Sequence, residues 1–210
     1  MRITPILAAA ALALPAPGLA ESNPAKVRLT ERSGKGAVLI RLPVQPVPYA
    51  LQFSKNGSSG FLSRVYLMKV KPGSGHAWIA RTLGPGRYRL DSMWQQGRWS
   101  ACLEAGTFEF EVKPGRIHYV GTLDTDAILA SLQQQAVRAG QTTQAGTAYY
   151  LSHGKTMVPP LGDRDSAGLA AARAFAEQGM NGGSRLVELA PVKQVAFGTS
   201  KAGKAIKVCG

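Results

Sequence analysis

From Lys26 to Leu123 the chain alternates between apolar and polar positions in short runs closed by turn residues. Val38, Ile40, Leu42 and Val44 share one face of an extended segment, and Leu51 and Phe53 open another that ends in Asn56-Gly57-Ser58-Ser59-Gly60. Arg64 to Val70 is rich in strand formers and stops at Lys71-Pro72-Gly73; His76 to Leu83 stops at Gly84-Pro85-Gly86. In Arg87 to Met93, Tyr88 and Leu90 oppose Arg87, Arg89 and Asp91. Phe108, Phe110 and Val112 oppose Thr107, Glu109, Glu111 and Lys113, the clearest period-two segment in the chain. Pro114-Gly115 then leads into Arg116 to Leu123.

The Pro-Gly pairs at 72–73, 85–86 and 114–115 read as turns. Proline presets φ at the first central position, and glycine accepts the positive φ that a type II turn requires at the second. About seven short strands at a spacing of roughly 10 residues predict a mainly β fold, an antiparallel β-sandwich. No strand–helix alternation of the kind that builds parallel sheets is visible in this half.

After Leu123 the period changes. Asp124-Thr125-Asp126 predicts the cap of a helix carrying Ile128, Leu129, Leu132, Ala136 and Val137, with Gly140 as a stop. Gln141 to Thr147 reads as a polar linker and Tyr149 to Val158 as a further strand ended by Pro159-Pro160. Asp165 or Ser166 caps a second, Ala-rich helix from Ala167 to Gln178, whose small side chains suit close packing on a sheet. Leu186 to Phe197 returns as a strand broken at Pro191, before a Gly- and Lys-rich tail. The expected organisation is therefore a leader at 1–20, a β-sandwich domain at 21–124, and a mixed helix and strand extension at 125–210 packed on the sandwich.

Leu83-Gly84-Pro85-Gly86-Arg87-Tyr88, Phe108 to Val112, and Lys113-Pro114-Gly115-Arg116-Ile117-His118-Tyr119-Val120-Gly121 together form a pattern. It resembles exported bacterial β-sandwich proteins of the prealbumin-like or carboxypeptidase-regulatory-like type. In them a PGxY strand precedes an FxVxPGxxxYxG hairpin. The resemblance spans about residues 60 to 125, roughly a third of the chain. It rests on turn prolines and core aromatics, so it implies a fold and brings no catalytic residues.

The first residues set the compartment. Arg2 precedes a short apolar run from Ile6 to Leu14, Pro15-Ala16-Pro17-Gly18 breaks it, and Gly18-Leu19-Ala20 offers small residues at a cleavage point after Ala20. The run is shorter than the roughly 20 apolar residues a transmembrane helix needs. A periplasmic or secreted protein with a cleaved signal peptide and no transmembrane segment is expected. The chain of 210 residues carries 25 Lys and Arg against 12 Asp and Glu, a formal charge of +13; only Arg2 falls in the leader, leaving +12. Outside the cytoplasm such charge favours an anionic envelope polymer, another envelope protein, or peripheral contact with a membrane surface. Nucleic acid is scarce there and is not expected. The same charge also serves solubility alone.

Cys102 and Cys209 are the only cysteines. In an oxidising compartment they are expected to form one disulfide tying the C-terminus to the middle of the chain; free thiols or an intermolecular bridge are the alternatives. Closing a loop of roughly 100 residues is worth about 4–5 kcal/mol on the chain-entropy account.

Candidate chemistry is sparse. Gly198 to Ala205 falls one residue short of a phosphate-binding loop, because Ala205 stands where a hydroxyl must hold Mg²⁺. His76, His118 and His153 show no metal-ligand spacing, and no GxSxG nucleophile motif occurs. No catalytic, cofactor or metal residues are assigned, and the chain reads as non-catalytic. A hydrolase would need to gather His118 or His153 with acids. The most suggestive segment runs from Arg87 to Trp99, with Gln96-Gly97 as a hairpin tip. Arg81, Arg87, Arg89 and Arg98 supply charge, while Trp94, Gln95 and Trp99 supply stacking and hydrogen bonding for an exposed ligand. The opposing reading places both tryptophans in the core, Trp99 next to the Cys102 disulfide. The expected function is a binding or structural module of the envelope; the alternative is an accessory subunit of a secretion or surface assembly.

Overall fold

A computed structural model describes residues 27–45, 48–55, 64–70, 75–95, 99–103, 106–138, 154–155, 158–180 and 183–196. For 64–70, 95, 99–100, 102, 136 and 154–155 it describes the backbone only. The expected signal peptide, Arg98, His153, Cys209 and the Gly- and Lys-rich tail lie outside the described residues, as do the side chains of Gln95, Trp99 and Cys102. Among the described residues the fold is mainly β, with two sheets, mostly antiparallel pairing, and two α-helices.

In the first sheet, β1 (Gly36–Pro43) lies between β4 (His76–Leu83) and β8 (Ile117–Leu123). The far side of β8 is shared by β10 (Leu161–Gly162) at one end and β11 (Val187–Leu189) at the other. In the second sheet, β2 (Tyr49–Lys55) lies between β3 (Arg64–Val70) and β5 (Gly86–Gln95). The far side of β5 is shared by β7 (Thr107–Val112) and β6 (Trp99–Cys102). β12 (Val192–Val195) extends the sheet beyond β7, and β9 (Gly154–Lys155) extends it beyond β6. The helices are α1 (Thr125–Arg138) and α2 (Ser166–Gly179).

The antiparallel expectation fails at three pairs: β1 with β8, β11 with β8, and β6 with β9 are parallel. Parallel pairs need long connections. Each of these three joins strands far apart in sequence, a relation that local periodicity does not encode. The strand predicted over Leu186 to Phe197 is two strands. The break at Pro191 is where the chain leaves the first sheet as β11 and enters the second as β12. The C-terminal part is thus woven into both sheets.

One apolar cluster draws on both sheets. Val38, Ile40, Leu42, Ile79 and Val120 of the first meet Leu51, Phe53, Leu90, Phe108 and Phe110 of the second. Phe53 meets Phe108 and Phe110 edge-on at centroid distances of 6.2 and 5.6 Å, a favoured aromatic geometry. Ile128 and Leu132 of α1 join the same cluster. Asp124 caps α1 by accepting from the Ala127 amide, and the buried Tyr49 hydroxyl donates to Pro43 O at 2.8 Å beside Thr125. Burial and the nearby Asp126 carboxylate push the Tyr49 hydroxyl well above its ordinary range, despite its hydrogen bond with Thr125.

A second cluster covers the opposite face of the first sheet. Ala37 and Leu39 of β1, Ala80 of β4, and Ile117 and Tyr119 of β8 pack against Ala172, Phe175 and Ala176 of α2. β1 is therefore buried on both sides, and its near-continuous apolar sequence records this. At the turn between β7 and β8, Gly115 has φ +67 and a Cβ there would fall on the Glu31 carbonyl, so the tight approach of residues 31–35 demands glycine.

Candidate functional site

β5 is the axis of the predicted recognition segment. Tyr88, Leu90 and Met93 point into the core; a bulge at Asp91 shifts the alternation by one residue, so that Arg87, Arg89 and Trp94 all turn to the outer face of the second sheet. On the same strand rows, Arg87 lies opposite Glu111, and Arg89 lies opposite Glu109 on β7. Glu109 in turn lies opposite Lys193 on β12. The charges therefore run across the sheet in alternating sign.

Arg89 donates to Asp91 Oδ1 at 3.0 Å, and Ser54 of β2 donates to the same oxygen at 2.9 Å. Lys193, with a side chain 59% exposed, reaches Glu109 Oε1 at 3.3 Å, whose side chain is only 5% exposed. Arg87 is exposed and forms one wall of a shallow groove of about 200 Å³, completed by Glu109, Phe110, Glu111, Pro191, Val192 and Lys193. Trp94 is half-buried, opposite Ala50 of β2 and Ser100 of β6.

The structure brings Arg87, Arg89 and Trp94 onto one face. Gln95 and Trp99 pair between β5 and β6, and the expected Gln96-Gly97 tip lies outside the described residues. Arg81 is elsewhere: it lies on β4 in the other sheet, half-buried, on the strand face of Ala77, Ile79 and Leu83. Sequence proximity to Arg87 misled because the Gly84-Pro85-Gly86 turn carries the chain from one sheet into the other. Neither helix packs on the outer face of the second sheet among the described residues.

A second polar cluster went unnoticed in the sequence. Asp163 Oδ2 accepts from Thr122 at 2.6 Å and from Arg41 at 3.3 Å, and the Arg41 guanidinium sits 5.9 Å from the Trp78 ring centroid. The other aromatic neighbours of Trp78 are Phe175, stacked at 5.1 Å, and Tyr119 at 5.7 Å. Arg164 donates to the carbonyls of Val120 and Ala190. Asp163 has φ 53, the one non-glycine positive φ among the described residues. Asp165 caps α2 by accepting from the Gly168 amide at 2.8 Å. The arrangement clamps the start of α2 to the first sheet, and Trp78 is occupied in holding that helix. Only the Asp-Arg-Asp run before the helix hinted at it.

Histidines offer no open chemistry among the described residues. His118 is fully buried, so no substrate reaches its ring. His76 is exposed at the start of β4, and the groove beside Arg87 contains no histidine. No group of His, Cys, Asp and Glu suited to a metal ion occurs among the described residues, and no helix there is long and apolar enough to cross a membrane. In comparison with known proteins, no family model, no curated protein and no solved structure matches the chain.

Proposed function

We propose that the chain is an exported, non-catalytic β-sandwich module of prealbumin or immunoglobulin type that binds an anionic polymer of the cell envelope. The observation that carries this reading is the outer face of the second sheet, where Arg87 and Lys193 stand exposed and the half-buried Trp94 lies further along β5. The apolar cluster shared by both sheets supports the sandwich. So does Tyr88, which donates to the Gly84 carbonyl four residues upstream at 2.8 Å, as in the tyrosine corner of many sandwiches. Asp91 and Glu109 align Arg89 and Lys193 along the sheet and moderate the face's net charge, so contact with a polyanion is weak per site and multivalent.

The reading includes cleavage after Ala20 and the Cys102–Cys209 disulfide. Strand β12 ends at Val195 opposite Thr107, five residues from Cys102. The residues from 196 to 209 extend up to about 45 Å, ample to close the bridge.

A second reading is an accessory subunit that adds a partner's strand to an open sheet edge. It is favoured by β4, which pairs along all eight residues with β1 and with no other strand among the described residues. The deciding experiment measures binding of the mature, oxidised protein to purified lipopolysaccharide and to a neutral glycan panel across a salt series. Exposed charges are screened over about 8–10 Å at moderate salt, so binding to the polyanion should fall steeply. It should be lost when Arg87, Arg89 and Arg98 become Gln. Salt-insensitive association with a protein partner would favour the strand-edge reading instead.

A further inference from the structure

His118 occupies the middle of the first sheet, paired in register with Val38 of β1 on one side and Glu188 of β11 on the other. Its side chain is fully buried. Nε2 accepts the Lys113 amide N–H at 2.7 Å, which places the ring proton on Nδ1. Nδ1 lies 3.3 Å from Glu188 Oε1 but lacks an aligned hydrogen bond. Nε2 also lies 3.4 Å from the Lys113 carbonyl oxygen.

A second proton must enter at Nε2. The ring then loses the Lys113 N–H as a donor and can bond the turn only by donating to the Lys113 carbonyl. The two states of the ring thus demand two positions of the same peptide. We propose that His118 is an acid-sensitive latch, whose protonation breaks the hydrogen bond from the Lys113 N–H and releases the turn from Lys113 to Arg116.

The charges facing the ring come from each neighbouring element. Glu188 on β11, a hydrogen bond with the Lys113 backbone and Glu111 on β7 favour a charged ring, the Lys113 ammonium disfavours it, and β1 contributes the uncharged Val38. Burial outweighs the rest and holds the ring below its ordinary value. An opened ring exposed to water binds a proton near its ordinary value of about 6.5. Acidification below that point therefore favours the opened form, up to about tenfold per pH unit until the closed form also protonates.

The released element is one short turn, and β11 stays on β8 because the Glu188 carboxylate beside the ring attracts it once charged. The turn holds residues 31–35 through the Gly115 amide, which donates to Lys35 O at 2.9 Å. Release would loosen that contact as well.

The test is a two-dimensional NMR titration of the mature chain from pH 8 to pH 5, following the histidine rings and the backbone amides. The amides of Lys113 to Arg116 should change together with the His118 ring, with onset below about pH 6.5. His118→Gln should remove the transition, and Glu188→Gln should keep it. Protonation of the His118 ring with those amides unmoved would overturn the latch. An unchanged transition in His118→Gln, or its loss in Glu188→Gln, would overturn it too, because a carboxylate would then be the trigger. Should His118→Gln fail to fold, the wild-type titration and Glu188→Gln decide.

Discussion

The two sheets bury their faces differently. β1 of the first sheet sends Val38, Ile40 and Leu42 into the core shared with the second sheet, and Ala37 and Leu39 under α2. β5 and β7 of the second sheet send Tyr88, Leu90, Phe108 and Phe110 inward and Arg87, Arg89, Glu109 and Glu111 outward. An unbroken apolar run records a strand with two apolar faces, and strict alternation records a strand with one apolar and one polar face. Such a difference separates a scaffold sheet from a sheet whose outer face is polar, with Arg87 and Lys193 exposed on it and Thr107 and Glu109 buried. It is why the functional proposal rests on the second.

The comparison breaks most readily at Leu39. Leu39→Ala removes a fully buried side chain from the α2 side of the first sheet and should cost about 2–5 kcal/mol in urea unfolding. A cost below about 0.5 kcal/mol would mean that α2 does not cover that face. Gly168→Ala should follow at about 1–3 kcal/mol, because a Cβ there would fall on the Asp163 carbonyl. In an ordinary helix the same change stabilises by about 1 kcal/mol, so even the sign is informative.

Alkaline pH tests the buried tyrosines of both sheets. Burial raises the Tyr49, Tyr88 and Tyr119 hydroxyls above their ordinary value. The unfolded chain then releases protons near pH 10 while the folded chain holds them, so stability should fall as pH rises through about 10. Each tyrosine adds up to about 1.4 kcal/mol per pH unit to that slope. Urea midpoints flat between pH 9 and pH 11 would contradict the burial. At the weak end, Asp165→Ala should cost about 1 kcal/mol through loss of the α2 cap. Glu111→Gln, on the open face, should change stability by less than about 0.5 kcal/mol.

Several strands were legible from their strand-forming residues and closing turns. Arg64 to Val70, His76 to Leu83 and Phe108 to Val112 lie within β3, β4 and β7, and Asp124 and Asp165 mark the helix starts through their caps. The same period-two reading assigned β1 one apolar face and passed over Ala37 and Leu39, so the seat of α2 stayed hidden. Partners fixed by long-range pairing were also invisible. These include the parallel match of β1 with β8, the Arg41–Asp163–Thr122 clamp, and the acids opposite Arg87 and Arg89. The basic character of the recognition segment was plain in the sequence. Its partial neutralisation by β7 depends on register, which single-strand patterns do not carry.

The central claim is that the polar outer face of the second sheet is the ligand face. It is tested most directly by amide shift mapping of the mature protein titrated with a soluble lipopolysaccharide fragment at low salt. The perturbed amides should cluster on β5, β7 and β12 around Arg87, Arg89 and Lys193, and should relax as salt is added. Perturbations confined to α2 or to the β4 edge, with β5 and β7 unmoved, would contradict it.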